Sequence, residues 1–181
     1  IKAGTLTVKQ SVNTNSGFSI TYWDGSANNQ QGGKIPHNLG SGVAMVIIKR
    51  VDATGDWLVF HKDLGTTTVN GVAHPKKVYL SLTEAAGNGT EAVTGTTAEG
   101  ASTGTNSPNM FAQNFYQYGT NDEAGGVNGK YVMYAWKPVA GVSAFGALSN
   151  VTSAPTQSSD ETWCGFKPRF VMLKKHDASG P

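Results

Sequence analysis

Cysteine is almost missing from this 181-residue sequence: Cys164 stands alone, so neither an intramolecular disulfide nor a thiolate metal cluster can hold the fold. Charge is sparse as well. Only 14% of residues are Asp, Glu, Lys or Arg, and the two signs nearly cancel at +2. No basic run is dense enough to leave the electrostatic footprint of a nucleic-acid binder, so no nucleic-acid partner is expected. Long apolar stretches are lacking too. The longest, Val43 to Ile48, falls far short of the roughly 20 residues of a membrane helix, and no membrane insertion is expected. An initiator Met, a basic n-region and an apolar h-region are absent from the start at Ile1, and the expectation is an internal portion of a longer polypeptide.

What is present is 38% hydrophobic residues, enough for one core or one core plus a fragment and too many for a disordered chain. Gly, Ser, Thr and Asn together number 69, as many as the hydrophobic class, which suits turn-dense β proteins rather than helix bundles. Runs rich in Val, Ile, Thr and aromatics recur between turn signals: Thr5 to Val12, Gly17 to Trp23, Val43 to Val51, Asp56 to His61, Lys77 to Thr83, Met110 to Tyr118, Lys130 to Val139 and Phe166 to His176. The alternation in Lys130-Tyr131-Val132-Met133-Tyr134-Ala135-Trp136 fits a strand showing a different face at every step. Trp23-Asp24-Gly25, Thr54-Gly55-Asp56, Asn70-Gly71 and Asn128-Gly129 supply turns. An all-β sandwich is the expected fold. The one helix candidate, Leu82 to Ala86, is cut off within about a turn by Gly87-Asn88-Gly89 and is not expected to form. Thr90 to Pro108 has no large apolar residue to fix it and is expected as a long surface loop or irregular edge.

Comparing the chain with itself reveals its most specific signal. Gly42 to Gly55 aligns with Lys167 to Gly180 at a constant offset of 125, bringing Met45-Val46-Ile47-Ile48-Lys49-Arg50 over Phe170-Val171-Met172-Leu173-Lys174-Lys175. Gly40 and Gly165 keep that offset, and Gly17-Phe18-Ser19-Ile20 matches Gly141-Val142-Ser143-Ala144 at 124. So long a period fits tandem copies of an independently folding domain rather than a solenoid of 20 to 50-residue units. The expected organisation is one complete repeat over residues 1–140 and the opening of a second over 141–181, with the boundary near Pro138 to Gly141. The unbroken apolar run implies a central strand covered on both faces.

The ordered set Gly17-Phe18-Ser19-Ile20-Thr21-Tyr22, Pro36-His37-Asn38-Leu39-Gly40, Met45-Val46-Ile47-Ile48-Lys49-Arg50 and Gly55-Asp56-Trp57-Leu58-Val59-Phe60-His61-Lys62 resembles an uncharacterised tandem-repeat domain of tailed-bacteriophage virion proteins. Tyr79-Leu80-Ser81-Leu82, Tyr131-Val132-Met133-Tyr134-Ala135-Trp136 and Gly165-Phe166-Lys167-Pro168-Arg169-Phe170-Val171-Met172-Leu173-Lys174 continue the match, which is weakest across Thr90 to Pro108. Domains of that kind occur in tail-fibre-like proteins, often beside laminin-G or concanavalin-like modules. The resemblance implies a non-enzymatic structural protein at the virion surface and transfers no catalytic motif.

Searching for chemistry yields little. No Gly-x-Ser-x-Gly, His-Glu-x-x-His, P-loop or dinucleotide fingerprint occurs, and His37, His61, His74 and His176 lie in separate segments. His37 is expected to satisfy backbone groups at a turn, and His61 to end a strand in solvent. Asp52, Asp56 and Asp63 are weighed as a calcium site, but Asp52 and Asp56 fit better as caps of a tight turn. Asp122-Glu123 are sequence neighbours in a Gly-rich stretch, unlike two carboxyls held across a sugar. Among the aromatics, Trp57, Trp136, Phe111, Phe115, Tyr116 and Tyr118 are expected mostly in the core. Trp23 with Asp24, at a turn, is the candidate glycan contact.

The expectation is therefore an antiparallel β-sandwich of jelly-roll or concanavalin-like type in tandem, with its second repeat incomplete. It would serve as a tail-fibre or host-facing appendage module, with no catalytic residues, no metal and no cofactor. The alternatives are a capsid decoration or head-fibre protein, and a carbohydrate-binding adhesin module. Expected partners are other virion proteins, further copies of itself as a homo-oligomer, and a host-surface glycan.

Overall fold

The computed structural model describes residues 7–25, 34–69, 72–87, 115–117, 129–148 and 163–177. Among them are ten strands, one 3-10 turn at Lys62–Leu64 and no α-helix. Six strands form one antiparallel sheet: β1 (Lys9–Asn13), β2 (Phe18–Asp24), β10 (Lys130–Trp136), β4 (Met45–Arg50), β5 (Leu58–His61) and β8 (Lys77–Tyr79), in that spatial order. Two smaller antiparallel pairs complete the set, β3 (Lys34–Pro36) with β9 (Phe115–Gln117), and β6 (Thr66–Val69) with β7 (Val72–Pro75). The all-β expectation holds.

The apolar run behaves as its composition demands. Met45, Val46, Ile47 and Ile48 are all buried, and β4 lies between β10 and β5. Because side chains alternate across a strand, a run without polar interruption needs cover on both faces. It has that cover. On one face Val46 and Ile48 join Trp23, Ile35, Leu39, Val43, Leu58, Phe60, Tyr131, Met133 and Ala135 in the main core. On the other, Met45 and Ile47 join Val59 and Val78 beneath Leu64, Leu80, Ala86, Tyr134, Trp136 and Phe145. Ile35 brings the β3–β9 pair under the main face.

Local chemistry fixes the strand ends. The Asn13 carboxamide oxygen accepts from the backbone N–H groups of Asn15 and Ser16, 3.0 and 3.1 Å away, closing the β1–β2 turn in Asx fashion. Gly17 leaves that turn at φ 65° and its carbonyl accepts from Lys137 N–H at 2.7 Å, tying the start of β2 to the end of β10.

Several sequence expectations shift. The run Lys77 to Thr83 is a strand only as far as Tyr79, and 82–86 is non-helical, as its glycine stop implied. The β6–β7 hairpin flanks Asn70-Gly71, a turn signal whose neighbouring strands are too polar to stand out. Phe166 to His176 is a correction: it forms no strand. A β strand exists only by backbone pairing, and this segment lacks the two neighbours that β4 has. The stretch Thr90 to Pro108, Phe111, Tyr118 and Asp122-Glu123 lie outside the described residues. Of Phe115, Tyr116 and His74, only the strand backbone is described.

Candidate functional site

The side chains singled out as chemistry do not converge. Asp52 receives a 2.8 Å hydrogen bond from Arg50 Nε, Asp56 one of 2.7 Å from the Ser81 hydroxyl, and Asp63 bonds of 2.7–2.8 Å from Lys62 Nζ. The three carboxylates thus serve three local contacts, and no group of three His, Cys, Asp or Glu residues able to hold a metal is found among the described residues. The Arg50 hydrogen bond holds the Asp52 carboxyl below its usual 3.8, with desolvation opposing the shift. Being exposed, that pair contributes little to stability.

Trp23 is not at the surface. Its side chain is 1% exposed and stacks on Tyr131, its register partner in β10, with ring centroids 5.3 Å apart. The turn signal Asp24-Gly25 suggested exposure, but β2 extends through Asp24, and the odd-numbered positions Ser19, Thr21 and Trp23 point into the core. A sugar ring cannot reach a face covered by Tyr131, which removes Trp23 as a stacking platform; Asp24 beside it is half-buried.

The largest polar grouping lies where β1, β2 and the loop after β3 meet. Gln10 Nε2 donates to Thr21 Oγ1 and to the Pro36 carbonyl, both at 2.7 Å, and Asn38 Nδ2 donates to Gln10 Oε1 at 2.6 Å. His37 is fully buried, with Nδ1 accepting from Leu39 N–H at 3.3 Å, the backbone role expected of it. Asn38 adopts φ 55°, which its short amide tolerates. These bonds fasten the loop under the sheet edge. They assemble no nucleophile with a base.

His61 differs from expectation, since it is half-buried and not solvated. Its Nδ1 accepts from Asp63 N–H at 3.2 Å as the cap of the 3-10 turn, and its ring lies 6.3 Å from that of Phe145. Burial pushes the imidazole below its ordinary 6.5; Asp63 opposes the shift, while Lys62 and His176 add to it. The unfolded chain therefore holds the proton more tightly than the folded one. The stabilisation from this group is complete above pH 6.5 and is lost as pH falls from there through the folded value. Urea midpoints should thus drop on acidification from about pH 7.5 to about 5.5, with a shallower drop in His61→Gln. An identical drop in both proteins would mean that His61 does not titrate with folding.

Sequence reasoning missed one feature of the surface. Phe170, Val171 and Leu173 are among the most exposed large apolar side chains described, whereas the residues of β4 aligned with them, Met45, Val46 and Ile48, are buried. Its signal is the offset of 125 itself.

Fold and side chains together define an all-β protein built on a six-stranded antiparallel sheet sealed on both faces at its centre. Residues 2–181 match the family model described as "Domain of unknown function (DUF7483)", and the chain belongs to that family. No curated protein and no solved structure matches it.

Proposed function

We propose that this chain is a non-enzymatic structural module of a bacteriophage virion, an antiparallel β-sandwich repeated in tandem within a tail fibre or other host-facing appendage. The observation that carries the reading is where the repeated and phage-like residues fall. Met45–Arg50 is the doubly covered central strand, Leu58–His61 and Lys130–Trp136 flank it, and Gly17 and Gly40 set backbone turns at φ 65° and 72°. These residues lie at the centre and turns of the sheet rather than at a site, which supports a structural reading. Two further glycines support the tandem: Gly141 and Gly165, the counterparts of Gly17 and Gly40, also have positive φ, 75° and 84°.

Rigid domains joined by connections as short as Pro138-Val139-Ala140 would hold a distal tip away from a particle, and repetition would multiply any weak contact that each copy makes. Homo-oligomerisation and contacts with other virion proteins belong to the same reading. The sandwich reading draws on Ile35 of the β3–β9 pair, which packs beneath the main face of the sheet.

Immunogold electron microscopy of particles, with antibodies raised against the folded chain, tests this. Gold on projecting fibres is the expected result. Gold on the head would replace the fibre by a capsid decoration, and particles free of gold would overturn the virion reading altogether.

A further inference from the structure

The segment aligned with β4 is placed very differently from β4. Met45, Val46, Ile47 and Ile48 are 8, 0, 7 and 0% exposed, while Phe170, Val171, Met172 and Leu173 are 80, 64, 39 and 73% exposed. The backbone of 170–173 belongs to no strand. Nevertheless, its two ends are fixed much as a repeat would fix them. Gly165 ahead of it has φ 84°, matching Gly40 at 72°, and Lys174 behind it uses its ammonium on a backbone carbonyl, as Lys49 does on Gly55 at 2.9 Å. The difference lies in whose carbonyl is used. Lys174 Nζ donates to the Leu82 carbonyl, and the Ala86 N–H donates to the His176 carbonyl at 2.8 Å, so the exit of this segment is stapled to the 82–87 loop.

We propose that Phe170–Leu173 is the central strand of a second sheet, seated on the 82–87 loop of the first, and that it receives β5-like and β10-like strands from the continuing repeat. This deepens the tandem reading above and rests on it. The register specifies the pairing. Met45 faces His61 on one side and Trp136 on the other, Val46 faces Phe60 and Ala135, Ile47 faces Val59 and Tyr134, and Ile48 faces Leu58 and Met133. Phe170, Val171, Met172 and Leu173 would meet residues 125 positions beyond those partners. Four consecutive apolar side chains whose backbone pairs with no strand among the described residues form a template for an arriving strand, and tandem copies place the correct strands at high local concentration. The staple matters because it aligns the template before they arrive. Leu82 and Ala86 belong to the first copy and Lys174 and His176 to the second, so these bonds define the joint between successive modules.

Hydrogen exchange decides the matter when the 1–181 chain is compared with the same chain extended after Pro181 by a second copy of its own residues 57–140. In the 1–181 chain, amides 170–173 should exchange near the unstructured rate at every protein concentration, while those of 45–48 are protected. In the extended chain their exchange should slow by at least about a hundredfold. Val171→Asp should abolish that gain and leave 45–48 untouched. Two results overturn the proposal. One is protection of 170–173 in the 1–181 chain that rises with concentration, which would make a second copy of the chain the occupant. The other is fast exchange persisting in the extended chain, whether or not the added residues fold. Neither result bears on gold labelling of particles, so the joint and the virion reading fail separately.

Discussion

Trp23→Ala is expected to destabilise the protein by about 3–5 kcal/mol, the range for truncating a fully buried aromatic to alanine, out of a total of about 5–15 kcal/mol for a domain of this kind. The size of the effect follows from position. Trp23 is 1% exposed at the third core-facing position of β2, stacked on Tyr131, and shares its cluster with Ile48, Phe60 and Met133, each fully buried. Removing the indole leaves a cavity that two flanking strands cannot collapse without breaking register. Trp23→Phe should cost far less than the alanine change. It keeps a ring against Tyr131 and deletes a buried Nε1 donor that has no hydrogen-bond partner among the described residues. Urea denaturation of the two variants reads both numbers. A Trp23→Ala protein of native stability would show that the side chain faces solvent, and would restore it as a sugar-stacking candidate.

How legible this was depends on whether the signal was local. The strand β4 could be read because six apolar residues in succession have one good solution in a β protein, burial on both sides, and its neighbours could be read from alternation in Lys130–Trp136. The burial of Trp23 is not legible because the turn signal two residues on points to exposure, whereas the pleat of β2 decides which way a side chain points, and Ser19 and Thr21 are polar at positions that face the core. Their polarity hid the alternation. The β3 strand, three residues with a proline, carries too little pattern to be seen, and β6 with β7 are dominated by threonine and small residues. The 170–173 run shows the opposite failure. Its composition is that of β4, but a strand is a relation between segments, and no described segment pairs with it as a strand. The turn role of His37 is legible from Pro36-His37-Asn38; its complete burial is not, because the loop is held by bonds from Gln10 and Thr21 to the Pro36 carbonyl, and both residues are remote in sequence.

Gly17→Ala should be the more damaging of two alanine substitutions at repeat-aligned glycines, and the comparison separates conformational strain from close approach. Gly17 and Gly141 share the left-handed region, φ 65° and 75°, where an L side chain costs about 1–2 kcal/mol. Only Gly17 has neighbours in the way. A Cβ there would lie 2.2 Å from the Lys137 carbonyl oxygen and 2.7 Å from Val139 Cγ2, while at Gly141 nothing comes within 4 Å. The obstructing oxygen is main chain and cannot swing aside like a side-chain tip. Moving it also disturbs the hydrogen bond from Lys137 N–H to the Gly17 carbonyl, which adds about 0.5–1.5 kcal/mol. Gly141→Ala is thus expected to cost about 1–2 kcal/mol and Gly17→Ala about 2–4 kcal/mol, measured as the shift in the urea transition of the 1–181 chain. The larger value would show that the chain leaving β10 runs tightly against the start of β2 at Gly17. Equal costs at the two glycines would mean that the chain after Trp136 does not run against Gly17.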